Sequence, residues 1–191
     1  MANYIGAKTA GVIANVDGGT IENATLGSSV TLPAGHILQV VQFLDNANSV
    51  STTSSSLVDA VNSLANPILE KNISITSGNS VLVIVNFSQQ ISGGGADKAG
   101  EVGLKRILDP SGAATTSTVY QQGNDAIYAE SLASSANLTI TMNNNICYLD
   151  SSTSSATSIT YRLMHSAGIR GGNSLIRGTS YYTMTLLEIQ A

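Results

Sequence analysis

The sequence predicts an all-β protein, an antiparallel jelly-roll sandwich, and three observations support this fold class. Short apolar runs recur along the chain, and several alternate with a period of two, as half-buried antiparallel strands do. Turn-forming residues separate these runs, whereas helical periodicity is weak. Charged residues make up only 10% of the 191 residues, against 42% hydrophobic ones. A chain of this composition folds around a core and is not disordered.

Alternation and apolar runs locate the individual strands. In "NLTITM", Leu138, Ile140 and Met142 share one face of an extended chain. The run "SVLVIVNF" is apolar on both faces, so it is expected to be a central strand that is covered on both sides. The predicted strands are 37–43, 72–76, 81–89, 101–108, 116–121, 138–142, 146–149, 159–164, 174–177 and 182–189.

A turn and an ambiguous segment complete the prediction of the head. The tetrapeptide Asp109-Pro110-Ser111-Gly112 has the residue pattern of a type I turn, which predicts a hairpin between strands 101–108 and 116–121. Residues 54–67 place apolar side chains near helical spacing and end at a proline. This segment is either one short helix or a strand with a polar loop.

Residues 1–35 differ from the rest of the chain. Small apolar residues stand singly between glycines there, and such short steps cannot build a core or a stable isolated hairpin. We expect several copies to wrap around one axis in an intertwined trimeric neck, with a jelly-roll head at 36–191. The residues expected to face the axis of the neck are Val16, Ile21, Leu26 and Val30.

Both ends of the chain carry a resemblance. The segment "GGTIENATLGSSVTLPAGHILQVVQF" resembles the neck-to-head junction of structural proteins from tailed bacteriophages, especially those that infect marine and freshwater cyanobacteria. The segments "SITYRLMHSAG" and "GGNSLIRGTSYYTMTLLEIQA" resemble the last strands of their heads, which close on an apolar residue, Glu and Ile. The resemblance implies a homotrimeric fibre or spike with a C1q/tumour-necrosis-factor-like jelly-roll head.

Three functions follow from this resemblance and stay open at this point. The first is a tail-fibre or tail-spike component of the virion, assembled in the host cytoplasm, whose head contacts the host surface. The second is a capsid decoration or head-fibre trimer that is attached to the shell. The third and least favoured is a polysaccharide-degrading tail-spike enzyme, for which two carboxylates would have to face each other across a sugar.

Several other classes are not expected. Lysine and arginine are not clustered, which argues against nucleic-acid binding. No apolar run approaches the length of a membrane span, and no signal-peptide pattern opens the chain. No cofactor or metal motif was identified. The single cysteine, Cys147, lies in an alternating run and is expected to be a buried small hydrophobe.

Catalytic residues are not predicted either. The two histidines are His36 and His165, and a Ser–His–Asp arrangement would need Asp45 or Asp150 beside one of them. No nucleophile-elbow motif accompanies these residues. Structural or surface roles are therefore favoured for both histidines.

Contacts with other molecules are assigned to the N-terminus and to loops. Tyr4, Ile5 and Val12 are candidate anchors to another virion protein. Polar loops at the end of the head far from the neck are expected to bind a host cell-surface glycan, and they are 45–55, 92–100, 123–135, 150–158 and 167–173. Within them, the candidate contact residues are Asn124, Tyr128, Asp150 and Asn173.

Overall fold

A computed structural model describes residues 33–45, 48–62, 64–94, 97–109, 114–122, 127–130, 137–151, 157–168, 172–178 and 181–191. All of them belong to one compact unit, Leu32–Ala191. The predicted neck, residues 1–35, lies almost wholly outside the described residues and stays a prediction.

The described residues form twelve β-strands, and no helix occurs among them. The strands are β1 (Ile37–Asp45), β2 (Val50–Thr52), β3 (Val58–Asp59), β4 (Glu70–Ser74), β5 (Ser80–Gly94), β6 (Asp97–Leu108), β7 (Thr115–Gln121), β8 (Ile127–Glu130), β9 (Asn137–Asp150), β10 (Ser158–Ser166), β11 (Asn173–Ile176) and β12 (Tyr182–Ile189).

The first sheet is built around β5. One edge of β5 pairs with β9 along its whole length, from Val81 opposite Asp150 to Gly94 opposite Asn137. Its other edge pairs first with β12 and then with β11. Strand β1 adds to β12, and β2 adds to β11, all antiparallel. Strand β5 is therefore central, as predicted, but the described residues do not cover its outer face, where Leu82 and Ile84 are only half-buried.

The second sheet is built around β10 in the same way. Strand β6 pairs with one edge of β10, while β4 and β3 share the other edge. Strands β7 and β8 add to β6. The β6–β7 pairing confirms the predicted hairpin, because Leu108 lies opposite Thr115; most of its turn is outside the described residues. The predicted antiparallel jelly-roll sandwich is confirmed.

The core lies between the two sheets. Alternate residues of β5 and β12 face inward and meet inward-facing residues of β10 and β6, as the period of two requires. The largest of the fully buried side chains are Leu69, Ile73, Ile91, Leu104, Ile146, Ile159, Tyr161, Leu163, Ile176, Tyr182 and Met184.

One open alternative is decided and one secondary-structure prediction is corrected. For residues 54–67 the strand with a polar loop is confirmed, since the described residues of this segment contain β3 and an isolated bridge between Val61 and Pro67 and no helix. Segments 138–142 and 146–149 are one strand, β9, which continues through three asparagines. In both places tertiary pairing with a long neighbouring strand outweighs the local sequence preference.

The two ends of the sandwich have different boundaries. We call the end where Pro33 enters and Ile189 leaves the proximal end; Gly35 N and Gln190 N donate there to Gln190 O and His36 O. The opposite end, at Gly94 and Asp97, is the distal end. Glu188 is a buried carboxylate near the proximal end, at 4% exposure.

Three hydrogen bonds from two segments converge on Glu188. Its Oε1 accepts from Thr76 N at 2.7 Å and from Asn79 Nδ2 at 2.6 Å. Its Oε2 accepts from Gln39 Nε2 at 2.7 Å. Burial opposes ionisation, but these donors outweigh it and lower the pKa of Glu188 below its ordinary value. The Leu187-Glu188-Ile189 ending therefore ties β1 and the turn before β5 to β12.

Replacing Glu188 with alanine is expected to lower the free energy of unfolding by about 2–3 kcal/mol, because the buried donor of Asn79 loses its acceptor. Glu188→Gln keeps one acceptor oxygen and should lose less. Since ionised Glu188 is the stabilising form, its contribution is present above pH 4.5 and is lost as pH falls through the lowered pKa. Urea denaturation between pH 7 and pH 3 measures both effects. An alanine variant as stable as wild type would contradict this account.

Candidate subunit interface

Apolar side chains line the outer face of the first sheet. Four strands contribute one residue each to a single cross-strand row, in which neighbours are paired in register: Val40, Leu187, Leu82 and Leu149. Val40 is 56% exposed and Leu149 is 54% exposed. We call this set the apolar row.

The outer face changes character along the strands. The next row toward the distal end is mixed and consists of Gln42, Thr185, Ile84 and Cys147. The row after it is largely polar and consists of Leu44, Thr183, Asn86 and Asn145. Toward the proximal end, Ile37 stands opposite Ile189 and is 54% exposed. The apolar surface is therefore concentrated in the proximal half of this face.

The sequence produces this face because β1 and β5 do not alternate strictly between apolar and polar residues. A strand with one wet face carries polar residues at every second position. In β5 the inward positions Val81, Val83 and Val85 are buried, yet Leu82 and Ile84 on the outer side are also apolar. Contiguous exposed apolar surface of this kind marks an interaction site in a soluble protein.

The outer face of the second sheet is charged instead. Lys105 Nζ lies 2.8 Å from Asp59 Oδ1, and Arg162 pairs with both Asp59 and Glu70. Burial opposes ionisation of Asp59, but hydrogen bonds from Lys105 and Arg162 outweigh it and lower its pKa. Partly exposed ion pairs of this kind suit contact with water. The outer face of the second sheet therefore suits contact with water, whereas the proximal half of the outer face of the first sheet suits contact with another apolar surface.

Cys147 lies on the outer face of the first sheet, where it is exposed. The prediction that it is a buried hydrophobe was wrong. Cys147 pairs with Ile84 in the mixed row. The alternation that suggested burial therefore places Cys147 on the outer face of the first sheet, which no described residue covers.

A buried polar cluster lies between the sheets toward the distal end. His165 is 1% exposed, and its Nδ1 lies 3.0 Å from Ser174 Oγ. Gln89 Nε2 donates to the same oxygen at 2.8 Å. This suits a neutral imidazole whose Nδ1 accepts the Ser174 hydroxyl hydrogen. Desolvation lowers the pKa of His165 to about 4.

This Ser–His pair was not predicted, since the two residues are on different strands and no motif joins them. Ser174 is 0% exposed, so its hydroxyl has no route to a substrate. Neither Asp45 nor Asp150 has a hydrogen bond to His165 among the described contacts. A neighbouring cleft of about 520 Å³ is lined by His165, Asp59 and Lys105, and the last two are paired with each other.

Asp150 was predicted as a residue of a distal receptor loop, and this is wrong on both counts. It is 0% exposed. It lies opposite Val81, near the proximal end. Its carboxylate accepts from Arg106 Nη1 at 2.8 Å and from Tyr161 OH at 2.8 Å. Asp150 thus links the two sheets. Burial raises the pKa of the Tyr161 hydroxyl, and the neighbouring carboxylate of Asp150 raises it further.

The remaining predicted contact residues have mixed outcomes. Tyr128 lies on strand β8 and not in a loop. Asn173 begins β11 at the distal end and is half-buried. The other predicted residues lie outside the described part of the chain, and they are Asn124, the anchors Tyr4, Ile5 and Val12, and the neck residues Val16, Ile21, Leu26 and Val30.

Among the described residues, no helix is long and apolar enough to cross a membrane. Within the same residues, no three side chains of His, Cys, Asp or Glu are grouped so that they could hold a metal ion.

No protein-family model matches the chain, and no curated protein matches it. Among solved structures, the chain is similar to that of the infectious bursal disease virus Gx strain, with 16% identity, a TM-score of 0.35 and coverage of 88% of this chain and 41% of that one. The VP2 subviral particle of the same virus gives 14% identity, a TM-score of 0.34 and coverage of 90% and 42%. Eiger TNF from S. frugiperda gives 12% identity, a TM-score of 0.32 and coverage of 78% and 92%. The chain spans about two fifths of the virus chains.

The buried histidine predicts a pH dependence of stability. The unfolded chain binds a proton near pH 6.5, whereas folded His165 binds one only near pH 4. Stability is therefore lost as pH falls across this interval, by roughly 3 kcal/mol in total. His165→Gln should remove that loss, and His36→Gln, at an exposed histidine, should leave it unchanged. Urea denaturation at pH 7, 6, 5 and 4.5 tests this, and identical slopes for wild type and His165→Gln would disprove it.

Proposed function

We propose that the chain is a non-enzymatic structural protein of a bacteriophage virion, a homotrimer that forms part of a tail fibre or tail spike. The head contacts the host surface, and the N-terminal segment joins another virion protein. The resemblance at both ends of the chain supports the virion assignment. The observation that carries the proposal is the apolar row on the outer face of the first sheet.

The apolar row suits a second copy of the same chain. Full burial of one leucine or valine side chain stabilises a contact by about 1.5–3 kcal/mol. Every subunit presents the same row, so copies related by a rotation can each cover a neighbour and close a ring. The charged outer face of the second sheet then remains in water. Only 10% of the residues are charged, and a soluble monomer usually carries more charge on its surface. The low charge therefore favours an assembly that covers part of the uncharged surface.

Imaging of virions distinguishes the tail assignment from the capsid alternative. Density for this chain at the tail is the expected result. Density distributed over the shell would replace the tail-fibre assignment with the capsid decoration.

Aspartate in the apolar row is expected to dissociate the trimer. Val40→Asp and Leu149→Asp each bury a charge at the proposed contact, and a buried unpaired charge costs more than the contact gains. Leu64→Asp is the matched control, since Leu64 is 78% exposed but lies on a turn away from this face. Native mass spectrometry should detect trimers for wild type and for Leu64→Asp, and monomers for the row variants. A stable folded wild-type monomer at micromolar concentration would refute the proposal.

Deletion of residues 2–12 is expected to separate trimerisation from attachment. The deletion removes the proposed anchors Tyr4, Ile5 and Val12 but none of the described strands. The truncated protein should remain a folded trimer and should be missing from purified particles. Quantitative mass spectrometry of virions measures its incorporation. Normal incorporation of the truncated chain would place the anchor elsewhere.

A further inference from the structure

A pocket of about 360 Å³ opens on the polar, distal part of the outer face of the first sheet. Four of its seven lining residues are asparagines, namely Asn86 on β5 and residues 143–145 on β9. The others are Phe87, Ser88 and Tyr181. We call this site the amide pocket. Its volume lies within the range of about 300–1,000 Å³ that is usual for small-ligand sites.

Hydrogen bonds to neighbouring strands hold part of the wall in place. Asn145 Nδ2 donates to Asn86 Oδ1 at 2.7 Å, and Asn86 Nδ2 donates to Thr183 Oγ1 at 3.2 Å. Asn144 lies opposite the buried Phe87, and its Nδ2 donates inward to the buried Gln89 Oε1 at 3.3 Å. The amides of Asn86 and Asn145 are therefore oriented before any ligand arrives, which lowers the entropy cost of binding.

Other groups of the wall are available to a ligand. Asn143 is exposed, and its side chain has no hydrogen bond to any residue that the structure describes. Tyr181 is 67% exposed. Asparagine is depleted in strands, yet three consecutive asparagines of β9 line this pocket. A ligand-binding role would account for them.

The chemistry of the wall matches an uncharged saccharide. No charged residue is among those that line the pocket in the described part of the chain. An amide donates and accepts hydrogen bonds, as a sugar hydroxyl does, and a tyrosine ring offers an apolar surface with a polar tip. An anion would lack a cationic partner there, and an apolar ligand would leave the amides unpaired.

We infer that the amide pocket binds an uncharged saccharide, which in the virion would be part of the host cell envelope. The source of the sugar, the host cell envelope, rests on the proposed function. The chemical class of the sugar rests on the residues of the pocket alone. The apolar row occupies the proximal half of the same face, so a trimer closed through that row leaves the distal pocket open. Three pockets in one trimer then add weak contacts by avidity.

The inference is tested with the full chain on an array of immobilised sugars. The uncharged arm carries oligosaccharides of glucose, galactose, mannose and N-acetylglucosamine, and the charged arm carries sialylated and uronic-acid-containing ones. Binding to members of the uncharged arm is the expected result. Binding to the charged arm alone, or to no sugar at millimolar concentration, would overturn the inference.

Variants then locate the binding. For a soluble form of the best-bound sugar, Asn143→Ala and Tyr181→Ala should each raise Kd by about tenfold or more. Tyr181→Phe keeps the ring and should have a smaller effect. Asn72→Ala is the matched control, because Asn72 is an exposed strand asparagine of the second sheet. Unchanged affinity in both Asn143→Ala and Tyr181→Ala would show that the amide pocket is not the site.

Measuring the oligomeric state of the same preparations separates the two proposals. A trimer that is found in virions but binds no sugar contradicts only the amide pocket. A monomer whose sugar binding depends on Asn143 contradicts the proposed function and leaves the amide pocket standing.

Discussion

The central position of β5 in the first sheet is the constraint on which the rest of the structure depends. This strand pairs with β9, β11 and β12, so it holds the first sheet together. Its inward valines form the centre of the core, while Leu82 and Ile84 on the outer side are half-buried. Because side chains alternate strictly, the residues that stabilise the fold and those of the proposed subunit contact are neighbours in sequence. Under the proposed assembly, folding and assembly would be specified by the same short segment.

Polar networks fix how the two sheets lie against each other. Apolar packing is non-directional and would tolerate a slide of one sheet over the other. Toward the proximal end, Asp150 of the first sheet binds Arg106 and Tyr161 of the second. Toward the distal end, His165 of the second sheet meets Ser174 of the first. Each network has defined partners and a high cost if one is lost, so together they set the register between the sheets.

The fold was largely predictable because turn residues and alternation are local signals. Strand β12 alternates regularly and β10 places Ile159, Tyr161 and Leu163 at every second position, and the bounds of both were predicted to within a few residues. The sequence was less informative where pairing outweighs local preference: Asn143 and its neighbours do not interrupt β9, and for residues 54–67 the choice between a helix and a strand with a polar loop stayed open. The site was less predictable. Strand order decides which end of the sandwich holds Asp150, and it also brings His165 to Ser174. Spacing along the chain does not encode strand order.

One sheet face carries two chemistries, and strand geometry sets their separation. From Leu82 in the apolar row to Asn86 in the amide pocket is four residues along β5, or about 13 Å at roughly 3.3 Å per residue. That distance is wide enough for a neighbouring subunit to cover the first without filling the second. It is also short enough that a shift at the proposed subunit contact would alter the shape of the pocket. Assembly through the apolar row would therefore also determine how the amide pocket is presented to a ligand.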